Sequence, residues 1–457
     1  MKRQSMVLLV GIISVLFYQT LNGYDLNKDG WDDIIISNHR TYKGDKNVNS
    51  YIYWGDSSSS FSNKTELVTH GATGNNVADF NGDGYLDILF CNTMDYPPYS
   101  SEYVNSYIYW GAPSNTYSTR TEIVTNTYVI EAASIADINR DGYLDIVFSN
   151  NSNINDQVSI NSFIYWGDSV NPYSITTRTE MSTNAASANA VYDINKDGYL
   201  DIVFTNNYTK DSYPANTNIN SYIYWGSSEN TYSSKTELRT VGGADCSIAD
   251  LNMDGYTDIV FTNLYDSNQY PLPSGYAINS YIYWGDESYK YLSKTGIATV
   301  GAADSTIYDI NKDGYLDILI ISGFNGDSYE INSYIYWGDQ NYNYLDKTPL
   351  ATQGANRAAV SDLNNDGYPD IIIANHNDNQ NNGGNYNINS YIYWGAQTNP
   401  FSTKTELPTI GAVDISAGNM SSYGNSIFLE NQSVPEPVSI LLLCASLILM
   451  AVKKIAD

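Results

Sequence analysis

Short apolar runs bounded by polar turn residues recur along this chain, and the fifth group shows their layout. Val241-Gly-Gly-Ala-Asp-Cys-Ser-Ile-Ala249 leads into a polar loop from Asp250 to Asp258. Ile259 to Asn263 follows, then a variable segment, Asn279-Ser-Tyr-Ile-Tyr-Trp-Gly285, a polar turn and Ser293-Lys-Thr-Gly-Ile297. The runs are short and rich in β-branched and aromatic side chains, which predicts four strands, A to D, joined by turns. Side chains alternate along a strand, so Ile282 and Trp284 share one face and Tyr281 and Tyr283 the other. With both faces covered, each sheet is expected to pack between two neighbours.

The block Asn-Ser-Tyr/Phe-Ile-Tyr-Trp-Gly occurs seven times, with its Trp at 54, 110, 166, 225, 284, 337 and 394. Four strands in each of seven repeats predict an all-β fold, a seven-bladed β-propeller of four-stranded blades. The first copy has no room for a strand A, whereas Thr409-Ile-Gly-Ala-Val-Asp414 and Ser426-Ile-Phe-Leu-Glu-Asn431 resemble half a repeat. Residues 409–431 are therefore expected to close the ring by completing the first blade.

The polar loop between strands A and B is the most regular stretch. Its first aspartates are Asp25, Asp79, Asp137, Asp193, Asp250, Asp309 and Asp362, spaced 53 to 59 residues apart, and each copy reads DxNxDGxxD. Oxygen ligands at positions 1, 3, 5 and 9, a backbone carbonyl at 7 and Gly at 6 for a sharp turn suit a hard cation such as Ca²⁺. The expected metal residues are Asp25, Asn27, Asp29, Trp31 and Asp33 in the first loop, and Asp79, Asn81, Asp83, Tyr85 and Asp87 in the second. The third and fourth offer Asp137, Asn139, Asp141, Tyr143 and Asp145, then Asp193, Asn195, Asp197, Tyr199 and Asp201. The fifth offers Asp250, Asn252, Asp254, Tyr256 and Asp258, and the sixth Asp309, Asn311, Asp313, Tyr315 and Asp317. The seventh offers Asp362, Asn364, Asp366, Tyr368 and Asp370. An EF-hand is excluded, because its position 12 needs a bidentate Glu and here carries Ile36, Phe90, Phe148, Phe204, Phe261, Ile320 or Ile373. Gly418, Met420, Ser422 and Ser426 occupy the ligand positions of the terminal half repeat, which is expected to bind no metal.

Motif and period together resemble the FG-GAP/VCBS repeats known from the integrin α-subunit head, whose calcium loops carry DxDxDGxxD. The resemblance spans residues 24–431 and implies a propeller with a calcium ion in each loop, up to seven. Asn at position 3 throughout is a substitution that family tolerates.

Charge fits the same picture. The formal charge is −28, and three Asp in each of seven loops supply 21 of the 50 acidic residues. Seven divalent ions would bring the total to about −14. That acidity argues against a nucleic-acid partner. Of the three cysteines, Cys91 and Cys246 lie three repeats apart and are expected to be unbridged buried thiols, and Cys444 lies in the tail.

The two ends read as addresses. Met1-Lys-Arg-Gln and the apolar run Met6 to Tyr18 have the form of a signal peptide, with residues 1–23 removed. Val434-Pro-Glu-Pro437, the apolar run Val438 to Val452 and Lys453-Lys454 resemble the PEP-CTERM sorting signal of Gram-negative bacteria. That resemblance implies that residues 432–457 are a transmembrane sorting tail processed by an exosortase. The protein is thus expected at the cell surface or secreted, as a monomer touching membrane only through its terminal segments.

Candidate chemistry beyond the loops is sparse. His39, His70 and His376 fall in different repeats, and Asp56, Asp168, Asp286 and Asp339 recur after Trp-Gly, which suggests turn chemistry. Lys or Arg at 64, 120, 178, 235, 294, 347 and 404, usually with Glu two residues on, is expected to link blades. The variable B–C segments include Asp95 to Tyr99, Asn207 to Tyr213, Tyr265 to Pro271 and His376 to Gln380. Varied loops on a rigid frame usually hold binding specificity, and Tyr, Asn and Asp suit sugars. The expected role is a non-enzymatic, calcium-binding adhesion module for exopolysaccharide or a surface protein. A polysaccharide lyase or glycoside hydrolase on the same scaffold, and a purely structural matrix protein, are the alternatives.

Overall fold

Strands keep their backbone groups paired by lying side by side, and in the computed structural model they form seven four-stranded antiparallel sheets. The structure describes residues 23–418 apart from 42–44, 94–103, 126–128, 153–157, 171, 211–214, 270–273, 379–384 and 399. Blade 2 is representative: strand A is Ala72–Ala78, B Asp87–Asn92, C Ser106–Tyr109 and D Arg120–Ile123, paired in that order. Blade 1 draws its strand A from the far end of the described chain. Ala412–Ser416 pairs with Ile34–Asn38, setting Ile36 opposite Ile415 and Ser37 opposite Asp414. The remainder of the half repeat, the signal peptide and the sorting tail lie outside the described residues.

Two expected strand starts shift. In the fifth repeat strand A begins at Gly243 rather than Val241, and the closing strand at Ala412 rather than Thr409. The cause is a left-handed residue in the crossing from the preceding blade, Gly242 at φ 56° and Gly411 at φ 56°. Extended pairing cannot continue through it.

Strand B carries the core. Ile34–Asn38 and Asp258–Asn263 are buried along their whole length, because each sheet is covered on both sides. The apolar clusters lie between adjacent blades. Between blades 4 and 5, Val203 and Ile223 meet Cys246, Ile259 and Phe261. Each large side chain buried there contributes about 1.5–3 kcal/mol. Cys91 and Cys246 are buried in different interfaces.

Polar staples supplement the packing. The second Tyr of each strand C donates its hydroxyl to a strand-D or adjoining carbonyl of the preceding blade. Tyr109 reaches Val68 at 2.6 Å, Tyr224 reaches Ser182 at 2.7 Å and Tyr393 reaches Ala351 at 2.6 Å. Tyr53 does the same to Pro408 across the closure. At the innermost strands, Asp245 accepts from Ser305 N–H at 3.1 Å and Asp304 from Ala358 N–H at 2.9 Å. Asp414 accepts from Asn75 N–H at 2.6 Å, again across the closure.

The strand-D ion pairs correct an expectation. They run along one strand instead of between blades: Lys64 pairs with Glu66 at 3.1 Å and Lys235 with Glu237 at 3.1 Å. Residues two apart on a strand share a face, so the pair forms without a neighbour. Among the described residues Arg120 and Arg178 also cross, donating to the Val68 and Thr125 carbonyls.

Candidate metal loops and the opposite face

The A–B loops and C–D turns meet at one end of the propeller. In the fourth loop, Asp197 N–H is shared by Asp193 Oδ1 at 3.1 Å and Asn195 Oδ1 at 3.0 Å, which directs both oxygens to one point. Asp193 Oδ2 accepts from Gly198 N–H at 2.9 Å, and Asp197 Oδ1 from Tyr199 N–H at 2.8 Å. This curl needs left-handed backbone at two positions, Lys196 at φ 56° and Gly198 at φ 90°. The other six loops repeat these bonds, including the third, where Asp141 N–H is shared by Asp137 and Asn139.

Position 9 is placed differently. Asp201 is fully buried, its Oδ2 accepting from Ile194 N–H at 2.9 Å and its Oδ1 from Gly226 N–H at 2.7 Å. It therefore ties the loop to the C–D turn. Gly226 is the Gly of Trp-Gly, and a Cβ there would sit 2.3 Å from the Leu200 carbonyl. The recurring Trp-Gly thus belongs to the loop as much as to strand C. Burial pushes the Asp201 carboxyl up to about 7, and Asp197 and Asp193 add to the rise against its two N–H donors. Asp33 and Asp370 are pushed up to about 8, also mainly by burial.

Adjacent loops are linked through position 4. Lys28 Nζ donates to the Gly84 carbonyl at 2.7 Å and Lys196 Nζ to Gly255 at 2.6 Å. Lys312 reaches Gly367, and Asn365 closes the circle to Gly30 at 3.1 Å. Gly82 and Met253 provide no such link.

Among the described residues no three His, Cys, Asp or Glu side chains form a complete metal cluster. A cation in these loops therefore needs the Asn oxygen and a carbonyl as well as the carboxylates. The donor set fits that requirement: hard oxygens at positions 1 and 3 converge, and the carboxylate at 9 is electrostatically strained by those at 1 and 5.

The acids after Trp-Gly are turn caps. Asp56, Asp168, Asp286 and Asp339 each accept from the backbone N–H two residues on.

The opposite end, made by the B–C segments and D–A crossings, holds what sequence reading missed. Blades 7 and 1 meet there, and the three histidines gather although they come from different repeats. The His39 and His376 rings lie 5.7 Å apart, with His70 within electrostatic reach of His39. Arg40 stacks 4.9 Å from the Tyr386 ring. Burial, then His376, Lys46 and Arg40, holds His39 well below the ordinary imidazole range. His376 is pushed down to about 4 by burial and then Arg40. Asp95 to Tyr99 and parts of the other variable segments lie outside the described residues.

The FG-GAP-like repeat pattern matches residues 25–90, 193–261, 250–320 and 309–373, and the FG-GAP repeat pattern residues 355–393. Among solved structures the chain is similar to a fungal alcohol oxidase of the AA5 family in complex with copper, at 10% identity and TM-score 0.43. That match covers 75% of this chain and 66% of the oxidase, just under two thirds of it. The Dos1 propeller aligns at 11% identity and TM-score 0.45 over 88% of this chain and 94% of its own. The biofilm matrix protein Bap1 of V. cholerae aligns at 12% identity and TM-score 0.35, covering 84% of this chain and 71% of that one.

Proposed function

The chain belongs to the FG-GAP-like repeat family, and from that premise we propose that it is an exported, calcium-stabilised propeller that binds a glycan or surface partner. The observation that carries this reading is the contrast between its two ends. Seven loops repeat one arrangement of oxygens at one end, whereas the side chains at the other differ from blade to blade.

In each loop the side chains at positions 1, 3, 5 and 9 and the carbonyl at 7 would hold Ca²⁺. The ion would supply positive charge where three carboxylates of one loop converge. Repetition favours a structural role for the loops, since a metal that touches a ligand needs only one distinctive copy. Export is supported by the apolar run Met6 to Tyr18 and the Val434-Pro-Glu-Pro437 segment.

The test is retention of the full chain on polysaccharide extracted from cells that produce it, with calcium and with chelator, while assaying for shortened chains. Saturable retention without shortening, lost in chelator, is expected. Shortened products would replace this reading with a degrading enzyme, and absence of retention would remove the glycan as partner.

A further inference from the structure

Resting on that reading, we propose that the B–C face carries a track for an acidic polysaccharide, with sugar rings on aromatic side chains of blades 5 to 7 and a carboxylate on Arg40.

The frame is a repeated backbone contact. A left-handed residue in each described D–A crossing donates its N–H to one carbonyl near the end of the B–C segment. Gly71 donates to Lys46, Ala185 to Val158, Gly242 to Thr217, Gly301 to Tyr276, Gly354 to Tyr329 and Gly411 to Tyr386. The six carbonyl residues are therefore equivalent positions, each three residues before the Asn that opens the strand-C block. Three consecutive blades place Tyr there and the others place Lys, Val or Thr. The propeller's symmetry is broken by chemistry on an unchanged backbone.

Further rings extend these tyrosines into a row. Tyr265 stacks on Tyr276 at 5.8 Å, Tyr276 meets Phe324 at 5.1 Å, and Phe324 meets Tyr329 at 4.5 Å. Tyr265, Tyr276, Phe324 and Tyr329 are all partly exposed, so solvent reaches rings that a wholly structural cluster would bury. Tyr329 lies within electrostatic reach of Tyr386 and Arg40, where the row ends.

That end places the cations Arg40 and Lys46 on a chain of formal charge −28. Arg40 makes no ion pair among the described residues, and its buried Nε has no hydrogen-bond partner. Arg40 and Lys46 both lie within electrostatic reach of His39, and Asp45 and Asp378 accept from the N–H groups of Asn47 and Asn385. An aromatic row ending in a guanidinium matches a chain of sugar rings that bears carboxylates, since rings cover C–H faces and Arg takes the carboxylate. A neutral glycan would leave the guanidinium unused.

The test measures full-chain binding in calcium to hyaluronate, methyl-esterified hyaluronate and polyglutamate. Hyaluronate is expected to bind at least about tenfold more tightly than its ester, the value of one charge-assisted contact. Arg40→Gln should lose about tenfold on hyaluronate alone, and Phe324→Ala about tenfold on both glycans. Leu345→Ala, at the opposite end, should change neither. Arg40→Gln alters a partly exposed side chain and carries the test even if Phe324→Ala fails to fold. Equal binding by wild type and Arg40→Gln, or binding to polyglutamate as tight as to hyaluronate, overturns the track. If Arg40→Gln still binds the producing cells' own polysaccharide undiminished, the track alone fails. If wild type binds no polysaccharide, the broader reading fails with it.

Discussion

The loop end and the B–C end use the same scaffold in opposite ways. At the loop end, Asp201 and its six equivalents are fully buried and bonded to the same two backbone N–H groups, and positions 1, 3, 5 and 9 carry the same residues in every loop. At the B–C end, the six described equivalent backbone positions carry Tyr in blades 5 to 7 and Lys, Val or Thr in blades 1, 3 and 4. Repetition of side chains marks what every blade needs in order to fold. Variation on a repeated backbone marks what the molecule can spend on recognition.

The comparison breaks most visibly at position 9. Asp258→Ala orphans the buried N–H groups of Leu251 and Gly285 and should destabilise the fold by about 2–5 kcal/mol, measured by urea unfolding. A loss below about 1 kcal/mol would show that the brace is dispensable.

Acid should sharpen the comparison, because the imidazoles sit at one end only. His376 has a folded pKa near 4 against 6.5 unfolded, so its neutral form contributes stability above pH 6.5 that is lost as pH falls toward 4. Burial and the Arg40 charge both oppose a positive charge on His376. Discounted for partial exposure, the loss is about 2 kcal/mol. Comparing wild type with His376→Asn across that range isolates it from the carboxylates. Parallel curves would contradict the assignment.

The smallest effect concerns coupling between loops. Lys312→Met removes an exposed hydrogen bond to the Gly367 carbonyl and should cost about 0.5–1 kcal/mol by thermal melting. Met253 already occupies the equivalent place in blade 5, so that blade's loop should tolerate the reciprocal Met253→Lys without loss.

Much of the fold was legible because its signals are local. The DxNxDGxxD period and the Ile-Tyr-Trp-Gly alternation fixed blade number, strand order and the shared face of the two strand-C tyrosines. Strand starts were misread where one left-handed residue, such as Gly242, ends the extended run. The buried brace at position 9 was read only as a ligand, since its second N–H partner, Gly226, lies 25 residues away. The strand-D pairs were assigned across blades because sequence spacing gives a shared face but not the partner on it. His39 and His376 each follow the last Asn of strand B, and the expected ring closure puts blade 7 beside blade 1. Their repeats lie at opposite ends of the chain, however, and the sequence reading kept them apart. Tyr276, Tyr329 and Tyr386 stand at one fixed offset before the strand-C block, but the ring contacts between Tyr265, Tyr276, Phe324 and Tyr329 depend on how the B–C segments fold.

The most direct test of the central claim is thermal unfolding of the full chain in calcium, in magnesium and in chelator, with the number of bound ions counted. Ions that bind only the folded loops should raise the melting temperature, each site contributing about 2.7 kcal/mol at a hundredfold excess over its Kd. Replacing Asp193 and Asp197 by Ala should remove one bound ion. Coincident melts in calcium and chelator, with no ion retained, would show that the seven loops fold on their hydrogen bonds alone.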